Sequence, residues 1–248
     1  MIIPAIDLID GNVVRLYQGD YEQKTQYQLA PVDVVHNYAD QGAQWLHIVD
    51  LTGAKDTDKR QLSLIKDMVA TNRMQFQCGG GIRSEQDVQQ LLDIGVARVV
   101  IGSLAVKEPE LVQSWMQKYG AQHFVLALDI NINDAGEKRI ATHGWQQDSG
   151  VELSTLLQSY LAFGVEQVLC TDISKDGTLQ GPNHALYQEM VQKFPAVNWQ
   201  ASGGIGSLND IEQLKPTKVQ GVILGRALLE GKFTVAQAIE LWQNQGAQ

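Results

Sequence analysis

The chain has 248 residues, 44% hydrophobic and 19% charged, which is ample apolar material for one large core. A formal net charge of -9 excludes the basic footprint that a nucleic-acid binder needs to displace counterions. No apolar run is long enough to span a bilayer, and the opening MIIPAIDLIDG lacks a signal peptide's basic region, so a cytoplasmic protein without nucleic-acid or membrane partners is expected.

Short apolar runs alternate with helix-period segments along the whole chain. Strand Ile2–Asp7 precedes a helix over Val32–Gln41, and strand Trp45–Asp50 precedes a helix over Arg60–Ala70. Strand Met74–Cys78 leads to Ser84–Ile94, where Ser84 is a natural N-cap, Asp87 takes the capping-box position, and Val88, Leu91 and Leu92 share one face. Strand Arg98–Ile101 is followed by a helix over Pro109–Tyr119, and strand Phe124–Asp129 by a helix over Val151–Phe163. Strand Gln167–Thr171 is followed by a helix over Ala185–Phe194. Strands Asn198–Ala201 and Gly221–Leu224 and a helix over Thr234–Gln243 complete the series. The strands are almost continuously hydrophobic, as parallel strands buried on both faces must be.

The alternation repeats itself. Gln77–Ser103 and Gln200–Arg226 align without gaps at an offset of 123 residues, with roughly two-fifths of positions identical. Asp7 and Asp129, and likewise Asp50 and Asp172, match at an offset of 122. A doubly wound open sheet has no reason to contain two equivalent halves. The expected fold is therefore α/β, a single (β/α)8 TIM barrel over residues 1–248, built from two repeated half-barrels.

Barrel chemistry sits at the C-terminal ends of the strands. Gly80 and Gly81 follow the third strand, and Gly102 and Ser103 the fourth. Gly203 and Gly204, with Gly225 and Arg226, are their counterparts in the second half. Glycine lets backbone N–H groups approach an anion, and a helix N-terminus adds its dipole. Two such cups, with Gly177 joining the second, predict a long substrate carrying a phosphate at each end, with Arg83 and Arg226 as charge partners. Asp7 and Asp129 close the first and fifth strands, Asp50 and Asp172 the second and sixth. Asp176 lies where the first half has Ala54, which makes Asp7 and Asp176 an asymmetric pair suited to acid–base work across the mouth. Against this, barrel-end aspartates also cap helices or pair with arginine, and for Asp50 and Asp172 that is the better expectation; Asp10 and Asp20 belong to turns.

The five histidines show no metal-ligand spacing, and neither a serine-hydrolase elbow nor a P-loop is present, so no metal is expected. Cys78 and Cys170 lie in apolar runs and read as buried thiols. The segment 130–150, with His143, Gly144 and Trp145, reads as a lid whose indole could stack on a planar base or pack on a neighbouring helix.

The runs IPAIDLIDGNVVRLYQGDY, HIVDLTGAKD, QCGGGIR, VVIGS, LALDI, LCTDISKDGTLQGPN, SGGIG and GVILGRALLEGKFT cover essentially the whole chain. Their combination resembles the phosphoribosylformimino-5-aminoimidazole carboxamide ribotide isomerases of histidine biosynthesis. That resemblance implies an Amadori rearrangement of a small bis-phosphorylated substrate, without metal or cofactor. It also implies that Asp176 is the general acid, Asp7 the base and Asp129 a supporting catalytic carboxylate. Arg15, Arg83 and Trp145 would position the substrate, and Thr171 would share a hydrogen-bond network with Asp176. A carboxyl acid must hold a proton near neutral pH, so a raised pKa is expected of Asp176. A monomer is expected. Cys78 and His143 depart from the pattern without touching the acid–base pair. The sister cyclase of imidazole glycerol phosphate synthase would place a Lys within the stretch occupied by Val13-Val14-Arg15-Leu16 and would require a glutaminase partner; Arg15 disfavours it. A broader isomerase that also serves tryptophan biosynthesis would share the same chemistry. A non-catalytic phosphosugar-binding barrel would keep the glycine cups but has no need of Asp7, Asp129 and Asp176 together at the strand ends.

Overall fold

A computed structural model describes residues 1–17, 19–142, 145 and 147–244. Its strands are β1 (Ile2–Ile9), β2 (Asn12–Tyr17), β3 (Asp20–Gln26), β4 (Trp45–Asp50), β5 (Gln75–Gly79) and β6 (Arg98–Ile101). They continue with β7 (Phe124–Ile132), β8 (Lys138–Thr142), β9 (Gln147–Glu152), β10 (Gln167–Asp172), β11 (Asn198–Ser202) and β12 (Gly221–Leu224). Eight of these, among the described residues, pair in parallel in the ring β1-β4-β5-β6-β7-β10-β11-β12, and β12 returns to β1. The expected barrel is present, with the start of each expected strand within two residues of its place.

Two apolar layers hold the ring. Ile3, Ala5, Val100, Val125, Leu169 and Ile223 fill the barrel's interior. A larger cluster, including Leu46, Ile48, Val99, Leu126 and Cys170, packs the strands' outer faces against the helices. The helix over Pro109–Tyr119 has its expected bounds. The helix Glu85–Asp93 carries the expected capping box, in which Ser84 accepts from the Asp87 N–H and Asp87 accepts from the Ser84 N–H. Its repeat equivalent, Leu208–Leu214, carries the same box on Ser207 and Asp210. Both cysteines are free and buried, as expected, and burial pushes both thiols up.

Not all of the interior is apolar. Gln77 and Gln200, which are repeat equivalents, exchange amide hydrogen bonds of 2.8 and 3.2 Å across the barrel. Gln77 also meets Nδ1 of buried His47 at 3.0 Å. These bonds satisfy polar groups that would otherwise be costly to bury, and they tie one half-barrel to the other. Burial, helped by the Arg15 charge, lowers His47 from its ordinary 6.5 to about 4. The unfolded chain therefore binds this proton first as the pH drops, and stability is lost from about pH 6.5 down to about pH 4. Between pH 6.5 and 4.5 the contribution amounts to about 2 kcal/mol. Urea unfolding of His47→Gln should lose correspondingly less stability than the parent over that interval; equal losses would contradict the assignment.

Candidate active site

The mouth of the barrel is assembled by a hairpin. After β1 the chain reverses at Asp10 and Gly11, both at positive φ (48° and 81°), so the expected turn at Asp10 is a two-residue hairpin loop of the primed kind. β2 then runs back along β1 with Val14 opposite Asp7, which brings Arg15 over the end of β1. Arg15 Nη1 donates to Asp7 Oδ2 at 3.0 Å, while Nη2 donates to both oxygens of Asp176 at 2.6 and 2.7 Å. The expected Asp7–Asp176 pair does face across the mouth, bridged by one guanidinium. Each of the two aspartates is 6% exposed. Burial raises the Asp7 carboxyl above its ordinary range; Arg15 opposes the shift and Asp176 adds to it. Burial works against the charge of Arg15, but Asp176 and Asp7 outweigh it and hold the guanidinium firmly protonated.

Asp129 stands at the end of β7 with Thr171 as its register partner on β10. The Thr171 hydroxyl donates to Asp129, whereas the side chain of Asp176 is gripped by Arg15. Trp145 Nε1 also donates to Asp129, at 2.7 Å. Burial raises the Asp129 carboxyl, and the Trp145 and Thr171 bonds counter it. Trp145 has φ 72°, a conformation unfavourable for a bulky L-residue. Its ring lies against the β2–β3 hairpin, where a methyl group added to Gly19 would stand 3.1 Å from it. The indole thus packs against this hairpin. His143 and Gly144 lie outside the described residues.

The glycine loops are related by the repeat in geometry as well as in sequence. Gly80 and Gly81 have φ of 109° and 70°, and Gly203 and Gly204 have 92° and 81°. A methyl group on Gly81 would come within 1.9 Å of the Gly53 carbonyl oxygen, and one on Gly204 within 2.3 Å of Gly181 O. These glycines are therefore demanded by backbone contact as well as by any ligand. The capping boxes already occupy the N-termini of the two long helices that follow. The open helix starts belong instead to short helices, Leu104–Lys107 after Gly102 and Ser103, and Arg226–Leu229 after Gly225, neither with a side-chain cap. Arg226 donates from Nη1 to the Gly177 carbonyl and from Nε to Glu230 at 2.6 Å, so it fastens the loop that carries Asp176. Arg83 donates to Ala54 O at 3.1 Å and lines a cavity of about 440 Å³ with Thr57, Arg60 and Asp87.

Asp50 and Asp172 are braces, the better of the two expectations for them. Asp50 accepts from the Gly53 N–H, the Gln61 N–H and the Gln61 side chain; Asp172 accepts from Ser174 and from Asn183 Nδ2 at 2.7 Å. Gln61 and Asn183 are themselves related by the 122-residue offset, a signal that the aspartates alone did not draw out. Asp20 opens β3 and accepts from the Glu22 N–H in a local turn.

A closed (β/α)8 barrel, three carboxylates and an arginine at its mouth, and paired glycine loops on two sides define an enzyme that works at the C-terminal ends of its strands. The chain belongs to the histidine biosynthesis protein family, whose model matches residues 1–234. It is 75% identical over 244 residues to a protein of Pseudoalteromonas atlantica and equally to one of Alteromonas mediterranea, covering 98% of this chain and 100% of each relative. A Vibrio cholerae protein is 58% identical over 244 residues, with the same coverage. All three are named as 1-(5-phosphoribosyl)-5-((5-phosphoribosylamino)methylideneamino) imidazole-4-carboxamide isomerase. Among the described residues no helix is long and apolar enough to cross a membrane, and no cluster of three or more His, Cys, Asp or Glu could hold a metal ion.

Proposed function

We propose that this protein isomerises the phosphoribosylformimino-aminoimidazole-carboxamide ribotide, an aminoaldose, to its phosphoribulosyl form in histidine biosynthesis. The observation that carries the proposal is the buried Asp7–Arg15–Asp176 bridge at the barrel mouth. It supplies two carboxylates and a cation that a sugar hydroxyl or ring oxygen can displace. The relatives' shared name supports the choice of substrate.

In the reaction, Asp176 protonates the furanose ring oxygen. The C1′–O4′ bond breaks as the nitrogen lone pair forms the Schiff base. Asp7 then takes the C2′ proton, and the electron pair moves to give an enolamine. Tautomerisation returns a proton to C1′ and leaves the ketose. In the ligand-free geometry both Asp176 oxygens accept from Arg15, the hydrogen-bonding pattern of an ionised carboxylate. Substrate entry must therefore draw Arg15 away before Asp176 can act as an acid. Asp129, held by Trp145 and Thr171, supports the open-chain intermediate from the fifth strand. The two glycine cups, Gly80–Gly81 with Gly102–Ser103 and Gly203–Gly204 with Gly225–Arg226 and Gly177, take the terminal phosphates. No metal or cofactor takes part, and the protein works as a cytoplasmic monomer.

The test is direct. The purified protein, mixed with the aminoaldose, should convert it to the aminoketose, followed by absorbance; absence of turnover would overturn the reading. Appreciable turnover of phosphoribosylanthranilate in the same assay would favour the broader isomerase.

A further inference from the structure

The two glycine loops are fastened by different chemistry. In the second half the Gly204 carbonyl accepts from the Gly181 N–H at 2.8 Å, a bond between two backbones. Its equivalent in the first half, the Gly81 carbonyl, accepts from Nη2 of Arg60. The same guanidinium donates through Nη1 to Asp87 Oδ1 at 2.5 Å. The other oxygen of Asp87 accepts from the N–H groups of Arg83 and Ser84 at 2.9 Å each. The Arg60 side chain is only 4% exposed, so this bridge is a fixed internal strut and not a surface ion pair. At the 122-residue offset its counterpart is Pro182, which has neither a side-chain donor nor an N–H.

We infer that Arg60 is a positioning residue for the first phosphate cup. A peptide unit is trans, with its C=O and N–H pointing in opposite directions. Holding the Gly81 carbonyl back toward Asp87 and the helix layer therefore turns the Ile82 N–H to the opposite side of the loop. Without the guanidinium, the Gly81 carbonyl loses the donor that orients it, glycine at this position restrains the peptide little, and the cup loses its preset donor. In the second cup the equivalent carbonyl, Gly204, has no such dependence on a side chain, because it is tied by the chain itself. The inference rests on assigning one substrate phosphate to the Gly80–Gly81 loop.

The experiment compares wild type with Arg60→Met on the full aminoaldose and on its two analogues that each lack one phosphate. On the full substrate Arg60→Met should raise KM about ten-fold and leave kcat within about three-fold. The KM difference should vanish with one analogue and persist with the other, a selectivity that general loosening of the fold would not produce. Equal KM for the two proteins on the full substrate, or the same ratio on both analogues, would overturn the inference. Should Arg60→Met not fold, Arg60→Lys carries the test. Its single ammonium cannot reproduce the planar fork, so KM should rise about three-fold with the same analogue selectivity, and an unchanged KM would overturn the inference. A wild type that does not turn over the aminoaldose would instead sink the proposed function.

Discussion

Asp7→Asn is expected to lower kcat by about a thousand-fold, some 4 kcal/mol of barrier, with KM changed no more than a few-fold. The amide keeps the size of the carboxylate and can still meet Arg15, so the mouth should keep its shape while losing the base. The pH dependence sharpens the expectation. A base must be ionised, and burial raises the Asp7 carboxyl while Arg15 opposes that rise. The acid limb of kcat/KM should therefore stand above the ordinary carboxylate range. Arg15→Met, by removing the opposing cation, should move that limb further toward neutral pH as well as weakening substrate binding. An Asp7→Asn enzyme with full activity would show that Asp7 is not the base. An acid limb that Arg15→Met moves downward would show that the titrating group is not Asp7.

The ring of eight strands was legible because each is buried on both faces and written in Ile, Val and Leu, as in QVLCTD of β10. The two hairpins over the mouth were not. β3, DYEQKTQ, is exposed at every residue, so it has no buried face and no alternation to detect. β8 pairs antiparallel with the end of β7 on one side and with β9 on the other, in a stretch whose composition suggested only a lid. One signal was available for the first hairpin: Asp10-Gly11, flanked by apolar residues, is a strong hairpin dipeptide. Among the site residues, Asp7, Asp129 and Asp176 followed from their places at strand ends, and Asp176 from the broken repeat at Ala54. Arg15 came only through resemblance, because nothing in the pattern NVVRLY says that β2 folds back to lay it between two aspartates. Arg60 escaped for a related reason. Its role depends on a carbonyl 21 residues away, and no periodicity encodes that.

Asp176→Asn should also lower kcat by about a thousand-fold, and the double variant Asp7→Asn/Asp176→Asn separates two ways in which the carboxylates could cooperate. In the proposed sequence they serve different barriers, ring opening for Asp176 and C2′ deprotonation for Asp7. A catalyst does not change the equilibrium of the step it accelerates. Once Asp7 is lost and deprotonation is slow, ring opening without Asp176 has time to approach its own equilibrium. The double variant should then be no more than about ten-fold slower than the slower single variant. If both groups acted on one transition state, the penalties would instead multiply, to about a million-fold. The comparison needs the mouth to survive both changes, and the geometry favours that, since Arg15 bonds each aspartate through a different nitrogen. A multiplicative loss would replace the stepwise mechanism with a concerted one, in which Arg15 couples the two aspartates.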